Sequence, residues 1–142
     1  MPAGKAARHV VAKAADIAIG ERLAVTIANR EIAVFNVKGE FFALANRCPH
    51  EGGPLCGGLI SGIALSDGPN QYRIARKGEF IRCPWHGWEF DIKTGQSWCD
   101  PKSVRARQFN VHVTAGNELV EGPYIAETLQ VEQDGEYLVV EL

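Results

Sequence analysis

The sequence predicts an all-β protein, and three observations carry that reading. Apolar residues recur with a period of two: Leu23, Val25 and Ile27 alternate with Ala24, Thr26 and Ala28, and Phe109, Val111 and Val113 with Gln108, Asn110 and His112. Short turn signals such as Lys38-Gly39 and Asp134-Gly135 separate the extended runs. Helical character is confined to a short piece near Val11 to Ala18.

In chain order, residues 1–9 read as a flexible arm that includes His9. Leu23 to Ile27 forms a half-buried strand, Asn29-Arg30 turns the chain, and Glu31 to Val37 forms a second, β-branched run. Lys38-Gly39 turns it again, and Phe41 to Ala45 makes a third strand that delivers the chain to Cys48. Together these make an antiparallel meander. Glu51 to Gly58 then carries Gly52, Gly53, Gly57, Gly58 and Pro54, which no regular element accommodates. Such a stretch lets the backbone approach a neighbour closely and turn its N–H groups inward.

Ser61 to Asn70 reads as an irregular excursion ending in the turn residues Ser66-Asp67-Gly68-Pro69-Asn70. Tyr72 to Arg76 and Glu79 to Cys83 read as a hairpin turning at Lys77-Gly78, with Arg73, Arg76, Lys77 and Arg82 facing outward. That charge is either a solvated face or a docking patch for an acidic redox partner. Phe90 to Gly95 is a strand leading into a turn, and Ser97 to Pro101 is a loop. His112 falls on the polar face of the next strand. After an acidic connection from Asn117 to Tyr124, Leu129 to Val131 and Tyr137 to Leu142 read as a last hairpin around Asp134-Gly135.

Composition bounds the rest. A chain of 142 residues, 46% hydrophobic and 23% charged, suits one domain spanning 1–142 with a real core. A net charge of −2 gives no reason to expect nucleic acid or an anionic membrane as partner. No apolar leader core is present in the N-terminal arm, and no apolar run reaches the ~18 residues of a membrane span. The expectation is a cytoplasmic protein.

Four cysteines are too few for a secreted disulfide framework. Cys48 has His50 two residues on, and Cys83 has His86 three residues on, whereas Cys56 and Cys99 have no such neighbour. Those two read as small buried side chains. A disulfide between them stays open on spacing, although a reducing compartment opposes it. Two thiolates and two imidazoles complete a four-ligand set, and spacing alone allows either tetrahedral zinc or a [2Fe–2S] cluster.

The segments Cys48-Pro49-His50-Glu51-Gly52-Gly53-Pro54-Leu55 and Cys83-Pro84-Trp85-His86-Gly87-Trp88-Glu89-Phe90-Asp91, with Thr94-Gly95 after them, resemble the two cluster loops of the Rieske iron–sulfur family. The likeness reaches over roughly residues 10–142. It implies a pair of antiparallel sheets with a small cluster-binding subdomain at about 46–104. It implies one [2Fe–2S] cluster, with Cys48 and Cys83 on the inner iron and His50 and His86 on the outer iron. It also implies that Pro101 lies in a third loop covering the cluster.

Charge explains the mixed ligands. Two ferric ions, two sulfides and two thiolates sum to zero, so an added electron is better tolerated than with four thiolates, and potentials rise to roughly −150 to +300 mV. High-potential members place a serine and a tyrosine where this chain has Trp88 and Phe90, and join their loops by a disulfide where it has Trp85. With no hydroxyl at either position, the low end of the window is expected.

The family reading implies an electron carrier, not an enzyme, moving single electrons from a reductase to a terminal oxygenase or similar protein. A fixed small subunit of a larger complex, as in assimilatory nitrite reductases, is the alternative. A self-contained oxygenase would need a further iron held by two histidines and a carboxylate. Apart from the ligand pairs, only His9 and His112 remain, and only residues 87–142 follow the second pair. The segments 61–80 and 117–128 are longer than is usual in the family's soluble ferredoxins.

Overall fold

The computed structural model describes residues 8–47, 53–84, 88–97, 105–116, 132 and 135–141. Among them are nine strands: β1 (Arg8–Lys13), β2 (Arg22–Ile27), β3 (Arg30–Val37), β4 (Glu40–Ala45), β5 (Leu59–Gly68), β6 (Gln71–Arg82), β7 (Glu89–Asp91), β8 (Gln108–Ala115) and β9 (Glu136–Glu141). They build a six-stranded sheet in the order β1-β9-β8-β4-β3-β2 and a three-stranded sheet in the order β5-β6-β7. All the pairings are antiparallel.

The expected meander is β2-β3-β4. Its first turn sits at Ala28-Asn29, one residue ahead of the expected place, with φ of 48° and 66°. Lys38-Gly39 repeats the pattern at 54° and 93°. Both are two-residue loops with positive φ at each central position, the geometry whose twist matches a hairpin.

β3 is buried on both faces from Ile32 to Val37. One face, with Ala33, Phe35 and Val37, packs against Leu55, Ile81, Phe90 and Ile92 of the small-sheet side. The other, with Ile32 and Val34, meets Ala12, Ile27, Leu138 and Val140. Ala12 and Ile27 come from opposite edges of the large sheet, so that sheet wraps around a second core. Fully burying a side chain such as Phe35, Phe80 or Phe90 contributes roughly 1.5–3 kcal/mol.

Four sequence expectations are corrected. Arg8 and His9, expected in the arm, open β1, and His9 is buried opposite Val140, while residues 1–7 lie outside the described residues. The piece near Val11 to Ala18 is the end of β1 followed by a single 3-10 turn at Ala14–Asp16, where Asp16 Oδ2 accepts the Lys13 N–H at 3.2 Å. The excursion at Ser61 to Asn70 is mostly a regular strand, and its hairpin partner is the whole of β6. Finally, β9 is held on both sides, by β1 and by β8, leaving no edge for the last hairpin. Leu129 to Val131 lie outside the described residues.

The Lys77-Gly78 reversal is absent for a specific reason. β5 pairs with β6 on both sides of that point, Ser61 with Phe80 and Ile63 with Ala75. Gly62 therefore faces Arg76, Lys77, Gly78 and Glu79, a wide bulge that includes positive φ at Arg76 (50°) and Gly78 (82°).

The bulge organises charge. Glu79, with 10% of its side chain exposed, accepts from Lys38 Nζ at 3.0 Å, and Arg76 Nε and Lys93 Nζ lie 3.2 and 3.4 Å from its other oxygen. Arg76 also donates to Asp91 Oδ2 at 2.7 Å and lies 4.8 Å from the centre of the Phe80 ring. Arg82 pairs with Glu89 at 3.4 Å. Arg76 and Arg82 are thus engaged within the fold, which removes them from the expected docking patch.

Lys38 stands in the β3–β4 turn, so the network ties the two sheets together. Hydrogen bonding from Lys38 first, then from Arg76 and Lys93, outweighs burial and lowers the Glu79 carboxyl from 4.5 to about 2. A lowered carboxylate stabilises the fold above its unfolded value and loses that contribution as pH falls through the folded value. Glu79→Gln is expected to cost about 1–2 kcal/mol at neutral pH, because the partners are partly solvated. In urea unfolding, the gap between wild type and variant should be full above pH 4.5 and close as pH falls toward 2.

Candidate metal centre

The described residues contain one of the four candidate ligands. Cys83 directly follows β6, carries a free thiol, is 2% exposed and lies in the core with Leu55, Ile81, Phe90 and Ile92. Cys48, His50 and His86 lie outside the described residues, as do Trp85, Cys99 and Pro101. What the structure defines are the bases of the loops that bear them.

The first loop is closed between Asn46 and Cys56. The buried Asn46 side chain accepts the Cys56 N–H through Oδ1 at 2.6 Å, and its own N–H donates to the Glu31 carbonyl at 2.8 Å. The second is closed by the Cys83 N–H donating to the Trp88 carbonyl at 2.8 Å. The third, expected to carry Pro101, is closed by a bridge between Gln96 and Arg105, next to which the Ala106 N–H donates to the Gly95 carbonyl at 2.8 Å. Leu55, Cys83 and Ala106, one from each base, share a single apolar cluster. The bases of all three loops therefore share one core.

Two further contacts fix the first loop. The Arg22 guanidinium donates from Nε to the Cys56 carbonyl at 3.0 Å and from Nη2 to the Gly58 carbonyl at 2.8 Å, tying the 3-10 turn Leu55–Gly57 to β2. Gly58 lies so close to the β6 backbone that an added Cβ would overlap the Arg82 carbonyl. Sequence reasoning missed Asn46 and Arg22. Their bonds reach across 10 and 34 residues, and neither residue belongs to a ligand motif.

Cys56 is free and half-buried; burial pushes its thiol up, with Arg22 opposing. Cys56 is expected from the sequence to be a small buried side chain and is instead half-buried.

A buried, unpaired thiol among apolar side chains suits a soft metal or an iron–sulfur centre rather than a hard cation. Trp88 packs against the core and Phe90 lies within it, so neither position brings a hydroxyl to the site. The family model for the Rieske [2Fe-2S] domain matches residues 7–110. The chain belongs to the Rieske [2Fe-2S] domain family.

Its cofactor is one Rieske-type [2Fe–2S] cluster. The match ends at residue 110, short of the 142 that the sequence likeness reaches, although the rest of β8 and all of β9, beyond it, complete the large sheet. The 3-phenylpropionate/cinnamic acid dioxygenase ferredoxin subunit of Escherichia coli K12 is 30% identical over 109 residues, 77% of this chain and 88% of the relative. The ferredoxin component of the naphthalene 1,2-dioxygenase system of Pseudomonas putida is 29% identical over 98 residues, 69% of this chain and 79% of the relative. Among solved structures, the complex of reduced oxygenase and oxidized ferredoxin in carbazole 1,9a-dioxygenase contains a chain of like fold. Its TM-score is 0.64 at 22% identity, over 94% of this chain and 92% of that one. Among the described residues, no helix of this Rieske protein is long and apolar enough to cross a membrane.

Proposed function

We propose that this Rieske protein is a one-electron carrier that takes electrons from a reductase and delivers them to a terminal oxygenase or a similar redox protein. The observation that carries the reading is that the bases of the three loops are each pinned by hydrogen bonds and share one apolar core. The ferredoxin components among its relatives support it. When bound, the cluster supplies a centre that gains and loses one electron.

The chain's own part is to place ligands and set their surroundings. Cys83, fixed by its N–H bond to Trp88, offers a thiolate from the apolar side, where water is excluded. Cys48 would supply the second thiolate ligand. His50 and His86 would supply the two imidazole ligands. Residues 1–142 act as a single Rieske domain, with the cluster-binding part at about 46–104. The cytoplasm is the proposed location, where a thiol such as Cys56 stays reduced.

Visible and electron-paramagnetic-resonance spectra of the purified protein, before and after dithionite, test the reading; a colourless, silent protein would refute it. With Trp88 and Phe90 in place of hydroxyl donors, the midpoint should fall at the low end of roughly −150 to +300 mV. It should also be flat between about pH 6 and 8, the ligand imidazoles keeping their outer protons. A midpoint well above zero would overturn this. Isolation in a fixed ratio with a second protein would replace the carrier by a fixed redox subunit.

A further inference from the structure

The geometry points to a docking cleft for an acidic surface of the redox partner, built from Arg30, Arg47 and Arg107 beside the first cluster loop. This inference rests on the carrier reading above. The three arginines line one cleft of about 680 Å³, together with Glu31 and Phe109. It opens at the end of the large sheet from which β4 delivers the chain to Cys48, and Arg47 is the residue immediately before that cysteine. Its walls are tied together: the Ala45 N–H donates to the Arg107 carbonyl, and the Asn46 N–H to the Glu31 carbonyl, both at 2.8 Å.

The charge there is unspent. All three arginines are exposed, and no carboxylate among the described residues pairs with any of them. Arg107 is held by its ring contact with Phe109, 5.0 Å from the ring centre, which orients it without neutralising it. Glu31 offsets one of the three charges. In a chain of net charge −2, this is a concentrated positive site, unlike the β6 arginines that close on Glu79, Asp91 and Glu89. Guanidinium forks match carboxylates, and such pairs steer association between proteins. An open cleft admits side chains from a protein surface, whereas small-molecule sites enclose most of their ligand.

The test is anisotropy of a fluorescent hexaglutamate peptide titrated with the cluster-loaded protein at low salt. The double variant R30Q/R107Q should weaken binding roughly tenfold, and the charge-matched control K13Q/K77Q should not. Equal weakening by both pairs would reduce the effect to net charge and overturn the site. Succinate binding as tightly as the peptide would make it a small-anion site and overturn docking. The dithionite-reduced spectrum of each sample separates the two readings. If the spectrum is intact and the double variant binds peptide like wild type, the cleft fails and the carrier reading stands. A wild-type protein that binds peptide but holds no reducible cluster overturns the carrier reading, and with it the cleft's redox role.

Discussion

Cys83→Ala is expected to yield a folded protein that no longer holds its cluster, while Cys56→Ala retains the full spectrum. The two cysteines are comparable in kind, both free thiols near the same core, and differ in what surrounds them. Cys83 is 2% exposed, at the end of β6 and at the base of the second loop. Removing its sulfur leaves a small void, which costs about 1 kcal/mol, too little to unfold a domain of this size. Loss of the cluster from a chain with preserved far-ultraviolet circular dichroism would therefore report ligation. Cys56 already has its thiol held protonated, and its backbone carries the loop contacts through N–H and carbonyl groups that alanine keeps. Retention of the cluster by Cys83→Ala, or its loss in Cys56→Ala, would reverse the assignment.

Gly58→Ala is expected to be strongly destabilising. The new Cβ would meet the Arg82 carbonyl carbon and oxygen and the Leu55 carbonyl, which are backbone atoms and cannot rotate aside. Relief requires separating β5 from β6 at the Leu59–Arg82 pair, or breaking the bond from Arg22 to the Gly58 carbonyl. Overpacking of this kind costs about 1–3 kcal/mol, readable as a lower urea midpoint. The second effect is specific. Gly58 ends the first loop and Arg82 precedes Cys83, so pushing these backbones apart widens the distance between the two ligand pairs. Cluster content should fall further than stability alone explains. Unchanged cluster loading in Gly58→Ala would show that the close approach serves packing only.

Much of this architecture was legible in the residues. The β2-β3-β4 meander declares itself through local signals, a period of two and turn residues that tolerate positive φ at Asn29, Lys38 and Gly39. The Cys83 motif is local as well, and the structure places Cys83 buried at the base of the second loop. The reading failed where pairing over distance decided the outcome. Lys77-Gly78 has the composition of a hairpin turn, and Gly78 does adopt the expected positive φ, but β5 captures the chain on both sides and turns the reversal into a bulge. Likewise, Tyr137 to Leu142 read as one half of a hairpin because nothing local reveals that β1, over a hundred residues earlier, occupies one side. The charge pattern was legible in part, since Arg76 and Arg82 are exposed as expected while their partners, Glu79, Asp91 and Glu89, are brought to them by the fold. Arg22 and Asn46, which hold the first loop, carry no signature of that task.

The slot that β9 fills has a consequence for how the molecule comes into being. Arg8 pairs with Glu141 and Lys13 with Tyr137, so one of the first strands synthesised must wait for one of the last. Until then β1 has no described partner in the sheet, and the core formed by Ala12, Leu138 and Val140 cannot close. The strands and turns around the metal site, from β2 through β7, emerge from the ribosome before that closure. Contacts so distant in sequence slow folding and lengthen the time that unpaired edges are open to aggregation. The stretch bearing both ligand pairs is therefore synthesised in full before its supporting sheet can be completed.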